Sequence, residues 1–166
     1  MRDPMQRLLV ENVDPRPGRG GWHGGPTAAG ALRGVSAADA SWRPAPGRKS
    51  IWDLTLHLAY WKYAVRRRLT GGPPGGFPRA PANWPRLPEE ASPAAWRADV
   101  ALLKTEHQRL VAAVTSVPLR RYGEVLRGGK QWTVGELILG IAQHDAYHVG
   151  QIQMLKRLRA ARRAGR

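Results

Sequence analysis

The chain has 166 residues, enough for one domain with a substantial core, and 42% of them are hydrophobic. The absence of cysteine excludes disulfides, thiolate metal ligands and a cysteine nucleophile. The net charge is +15, but the basic residues are scattered outside the run 66–68 and a basic tail at 157–166. This distribution favours a small, acidic substrate over nucleic acid as the partner.

The first 50 residues predict only short elements. Residues 5–13 suit a short helix, residues 14–26 form a Pro/Gly-rich loop, and residues 27–35 suit a second short helix. The N-terminal segment lacks the long apolar stretch of a signal peptide, and no run reaches the roughly 18 apolar residues of a membrane helix. We therefore expect a cytoplasmic protein with no membrane partner.

The first long helix is predicted over residues 50–69. Ser50 opens it with the spacing of a capping box, and a Gly-Gly-Pro-Pro run ends it. The Pro/Gly-rich loop that follows, residues 71–92, is long for a compact domain, which is typical of a functional or mobile segment. Phe77 and Trp84 within it predict that the loop packs against the helices.

Two further long helices follow. One is predicted over residues 92–117, with Ser92 as its N-cap, and the last over residues 133–161, where Thr133 opens a second capping box. No strand alternation stands out. The sequence therefore predicts an all-α fold, a single four-helix-bundle domain spanning residues 1–166.

Three histidines occupy apolar faces of these helices. His144 and His148 are four residues apart, so they lie one turn apart on one face of the last helix. His57 interrupts the apolar face of the first long helix. Buried imidazoles need partners, and a divalent metal ion would satisfy all three together. Spacing alone leaves open that they are core histidines satisfied by ordinary hydrogen bonds.

The segments SIWDLTLHLAYW and HDAYHVGQI make the chain resemble the DinB superfamily of metal-binding four-helix bundles. The resemblance covers roughly residues 5–160, and the family pattern matches His57, His144, His148, Gly150 and Gln151. It implies an up-up-down-down bundle with a metal site near one end, formed by the three histidines. It also implies a homodimer.

Three histidine ligands leave a coordination position open, as in catalytic metal sites. An all-imidazole set suits several divalent ions, and we expect zinc or nickel. Such an ion activates a bound water or thiol, which predicts a hydrolase or a low-molecular-weight-thiol S-transferase acting on a small, anionic substrate. A thiol would have to be a cosubstrate. The alternative is a non-catalytic, stress-related binding protein whose metal is structural or vestigial.

Several other side chains are candidates for roles near the site. Gln151 can hydrogen-bond a ligand or substrate, or bridge two helices. Trp61 can form a pocket wall or simply pack in the core. Asp145 is expected at the surface, since it points about 100° away from its neighbour around the helix. His107 can line the pocket or act as a fourth ligand, and His23 can act from a loop or cap a helix.

Overall fold

A computed structural model describes residues 3–16, 18, 24–72, 76–126 and 130–165. These residues contain no β-strand, only an isolated bridge between Val125 and Thr133. A 3₁₀ turn covers Leu119–Arg121. The α-helices are α1 Pro4–Val13, α2 Ala28–Ala31, α3 Ala37–Ser41, α4 Ile51–Thr70, α5 Pro93–Ser116 and α6 Val134–Ala164.

The predicted all-α four-helix bundle is confirmed, with α1, α4, α5 and α6 as its helices. The predicted short helix at residues 27–35 is confined to α2, and α3 is an addition that the sequence did not suggest. Both short helices pack against the bundle, α2 on α6 and α3 on α4 and α5. No helix in the described part of the chain has the length and apolarity needed to span a membrane.

Side-chain caps fix where the long helices begin. The Ser50 hydroxyl accepts from the backbone of Asp53, whose carboxylate accepts from the Ser50 backbone in return, and Thr133 and Glu136 repeat this arrangement at α6. Ser92 caps α5 with its side chain alone. These bonds satisfy backbone N–H groups that a helix start leaves unpaired, so the predicted starting points are correct.

Contacts between helices define their directions. Near the start of α4, Trp52 donates to Asp99 near the start of α5, and further along α4 Arg66 pairs with Glu106 further along α5. Hence α4 and α5 run in the same direction, whereas α6 opposes α4 and α1 opposes α5. The observed order of helix directions is therefore up-down-down-up, whereas up-up-down-down was expected. The helices α4 and α5 are parallel because the long loop 71–92 returns the chain to the end where α4 began.

The described residues form two buried clusters, one toward each end of the bundle. The first surrounds Trp52 and Leu56 of α4, and the second surrounds Leu110 of α5 and Ile138 of α6. The loop 71–92 covers the first cluster, and its Phe77 and Trp84 pack against it as predicted. This packing positions the loop beside the first half of α4 and the middle of α6.

Candidate metal centre

The structure brings the three predicted histidines together. His57 lies in the first half of α4, and His144 and His148 lie on the facing side of α6. One nitrogen from each ring lies within 4.8 Å of the other two. His57 and His148 are buried, with 5% and 7% of their surface exposed, and His144 is half-buried. A cluster of this size can be bridged by a single ion.

Two of the rings are oriented by oxygen atoms at Nδ1. The Nδ1 of His57 lies 2.7 Å from the backbone carbonyl of Asn83, and the Nδ1 of His148 lies 2.7 Å from Oε1 of Gln151. Because an oxygen of this kind only accepts, Nδ1 must carry the hydrogen in both rings. Their Nε2 atoms therefore carry lone pairs, as metal-binding imidazoles require.

The third ring completes the arrangement. The Nε2 of His144 lies 3.1 Å from Nε2 of His57, and since the latter carries a lone pair, His144 donates to it. A single hydrogen thus joins two nitrogens that would otherwise repel each other. A divalent cation would serve the same purpose for all three rings, so the donor set fits a metal ion of the borderline class that prefers imidazole.

Burial keeps His57 and His148 neutral. It lowers the pKa of His57 to about 4, with further lowering by His148, His144 and Lys49 against the opposing hydrogen bond to Asn83. Burial also lowers the pKa of His148. Metal ions bind the neutral imidazole, so the ring need not lose a proton first at neutral pH.

The loop 71–92 supplies contacts that the sequence did not predict. Trp84 stacks on His57, and Asn83 has φ of 69°, a left-handed conformation that is uncommon outside glycine. The Asn83 side chain also accepts a hydrogen bond of 2.8 Å from the indole of Trp61. In the sequence, only the aromatic character of Trp84 indicated that this part of the loop contacts the helices. The contact of Asn83 through its backbone carbonyl has no signature in residue type.

An open cavity of about 1100 Å³ leads to the histidines. Its walls are largely apolar and include Trp61, so this residue borders the cavity as well as packing beside His57. Arg48 and Lys49 are exposed at its edge, and the Lys49 ammonium lies 4.4 Å from the Trp84 ring centroid. No Asp or Glu lines this cavity among the residues that the structure describes.

Gln151 and Asp145 differ in how well the sequence predicted them. Gln151 does contact a candidate ligand, His148. Asp145, expected at the surface, instead has only 16% of its side chain exposed and forms an ion pair with Lys62, which is fully buried. Its Oδ1 lies 4.0 Å from Nδ1 of His144. The reason is that α6 packs against α1, α2 and α4, so more than one of its faces is inside.

His107 lies apart from the three histidines. Its Nε2 is 3.2 Å from Oδ1 of Asp14, and it borders a second cavity of about 920 Å³ together with Lys62 and Asp145. Burial lowers the pKa of His107. It is not a fourth member of the cluster. His23, the remaining histidine, lies outside the described residues.

Comparisons with known proteins agree with the geometry. The sequence matches the DinB superfamily over residues 27–152, about three quarters of the chain. This span includes all three clustered histidines and Gln151. Searches of curated proteins and of solved structures return no match.

Proposed function

The chain belongs to the DinB superfamily, and from this premise we propose that it binds one divalent metal ion through His57, His144 and His148. We further propose that it is a metal-dependent enzyme, either a thiol S-transferase or a hydrolase, acting on a small, anionic substrate. Zinc or nickel is the ion we expect. A low-molecular-weight thiol would have to be a cosubstrate, because the chain has no cysteine.

The observation that carries this proposal is that two buried rings each form a hydrogen bond at Nδ1, the nitrogen on the side away from the cluster. Asn83 and Gln151 hold the Nδ1 hydrogens of His57 and His148, so that the Nε2 lone pairs are available beside His144. A core histidine that needs only a hydrogen-bond partner has no reason to place its second ring nitrogen beside two other imidazoles. Outer partners of this kind are what fix metal-binding imidazoles in other proteins.

The bound ion would supply Lewis acidity, which lowers the pKa of a coordinated water or thiol. The protein's own residues have complementary tasks. Arg48 and Lys49, at the edge of the cavity, attract and hold the anionic part of the substrate. Trp61 and Trp84 exclude water from the face of His57 and so strengthen electrostatic interactions there. The open cavity favours an enzyme over a sealed, structural site.

The first test is metal content by mass spectrometry of the untagged protein. A triple variant, His57→Ala with His144→Ala and His148→Ala, should lose the metal, and His107→Ala, a histidine outside the cluster, should keep it. About one equivalent per chain in the parent supports the site. No metal in the parent after incubation with zinc or nickel would contradict the proposal.

A second test separates an enzyme from a non-catalytic binding protein. His148→Ala should abolish turnover of thiols with electrophiles, or of esters and amides, while circular dichroism shows that the helices persist. If the same substitution unfolds the bundle and no substrate is turned over by the parent, the metal is structural. The stress-related binding protein would then be the better description.

We also propose that the protein is a cytoplasmic homodimer, as its family resemblance implied. Tyr147, Met154 and Leu158 expose large side chains on one stripe of α6, which supports an interface there. Light scattering should give twice the chain mass for the parent and the single chain mass for Met154→Glu with Leu158→Glu. A monomeric parent would exclude the dimer.

A further inference from the structure

Two buried polar atoms face each other beside the histidine cluster without a hydrogen bond. They are Nδ1 of His144 and Oδ1 of Asp145, and they lie 4.0 Å apart. Among the three clustered rings, His144 alone has no partner at Nδ1, because Asn83 and Gln151 serve the other two. Buried polar groups in folded proteins are rarely left unsatisfied, so this pair requires an explanation.

The position of the ring hydrogen on His144 provides that explanation. Since His144 donates from Nε2 to His57, its Nδ1 carries a lone pair. A lone pair and a carboxylate oxygen repel each other, and the two atoms stand beyond hydrogen-bonding distance accordingly. If Nε2 were instead bound to a cation, the hydrogen would have to be on Nδ1, where the nearest oxygen is that of Asp145.

Lys62 holds the carboxylate of Asp145 in place. The ammonium of Lys62 contacts the other carboxylate oxygen, Oδ2, and is completely buried in α4. This leaves Oδ1 as the oxygen directed at His144. A carboxylate paired with an ammonium only accepts hydrogen bonds, so Oδ1 can accept one from a ring N–H.

We propose that Asp145, fixed by Lys62, is a positioning residue that accepts a hydrogen bond from Nδ1 of His144 when Nε2 of that ring binds the metal. The inference rests on the proposed metal site. On metal binding, the hydrogen on Nε2 leaves to solvent and one from solvent reaches Nδ1, so the ring stays neutral. Each of the three rings would then donate its Nδ1 hydrogen to its own acceptor: a backbone carbonyl, an amide oxygen and a carboxylate.

The test is the zinc dissociation constant, measured by chelator competition, in Asp145→Asn with Lys62→Met. The double variant avoids leaving one buried charge alone. Its matched control is Glu106→Gln with Arg66→Met, which removes a partly buried ion pair that joins α4 to α5 instead of α6. We expect zinc affinity to fall roughly 10- to 100-fold in the first and to change less than about threefold in the control. Equal affinity in both would overturn the proposal.

Nitrogen NMR of the imidazole rings gives an independent readout on the parent protein. With chelator present, His144 should carry its hydrogen on Nε2, and with one equivalent of zinc on Nδ1. A ring that stays in the Nε2–H form while zinc is bound would overturn the positioning role, even if the double variant fails to fold. A parent that binds no zinc would overturn the proposed function, and the positioning role with it.

Discussion

The indole of Trp84 lies flat against the imidazole of His57, with ring centroids 3.8 Å apart and planes inclined by 11°. The stack joins the long loop 71–92 to the first half of α4. Its neighbour Asn83 contacts the same imidazole edge-on through a backbone carbonyl. One ring is thus held on its face and at its edge by two consecutive loop residues.

Replacing Trp84 should therefore weaken metal binding without touching a ligand. Trp84→Ala removes a stacked contact of about 1 kcal/mol, and we expect zinc affinity to fall about threefold to tenfold as His57 gains freedom. Trp132→Ala, at a tryptophan that packs on Gly140 of α6, is the control and should leave affinity unchanged. Chelator competition measures both. Unchanged affinity in Trp84→Ala would mean that the stack does not orient His57.

The Gln151 side chain should increase zinc affinity by orienting His148. Gln151→Ala removes the acceptor of the Nδ1 hydrogen, and we expect about a tenfold loss of zinc affinity, within the usual range for such partners. Gln143, exposed on the same helix, provides the control substitution Gln143→Ala. Isothermal titration with zinc compares the two. Equal affinities would show that Gln151 only packs between helices.

Lowering the pH should destabilise the protein at pH values above those at which its carboxylates take up protons. The pKa of His57 is about 4 in the fold and near 6.5 in an unfolded chain, so between these values the unfolded state binds a proton that the folded state does not. The stability from neutral His57 is present above pH 6.5 and is lost as pH falls toward 4. His148 acts in the same direction.

Urea unfolding with chelator present, at steps from pH 7 to 5, measures this loss. His57 alone should give a slope approaching about 1.4 kcal/mol per pH unit between the two pKa values. His57→Gln should show a shallower slope than the parent over that range. A parent whose free energy of unfolding is flat from pH 6.5 to 5 would contradict a neutral, buried His57.

The completely buried carboxylate of Asp99 should be a main contributor to stability. It accepts from the Trp52 indole at 2.8 Å and pairs with Arg79 of the loop at 2.7 Å. Asp99→Ala leaves a buried indole N–H unpaired and releases the loop, and we expect a loss of about 3 kcal/mol in the free energy of unfolding. Glu124→Ala, which breaks an exposed ion pair with Arg121, should cause no measurable change in the same urea experiment.

The histidine cluster could be predicted because it depends on local rules. His144 and His148 share a face through helical spacing, and His57 lies on an apolar face that must turn toward the same core. The capping boxes at Ser50 and Thr133 are equally local. Such features follow from a few neighbouring residues, whatever the rest of the chain does.

The surroundings of the cluster could not be predicted, because they depend on contacts between distant segments. Asp145 was expected at the surface from its angle on α6 alone, yet three helices surround α6 and Lys62 meets it from α4. The relative direction of α4 and α5 depends on the path of a loop without regular structure. Neither the angle on one helix nor loop composition contains that information.

The carbonyl of Asn83 has an evolutionary consequence. A backbone oxygen is present whatever side chain occupies the position, provided that the chain keeps its left-handed turn there. The loop 71–92 can therefore exchange most of its residues, and reshape the cavity edge for other substrates, while His57 keeps its partner. Relatives of this protein should then share their histidines yet diverge in this loop, and a comparison by residue identity would overlook the contact that they have in common.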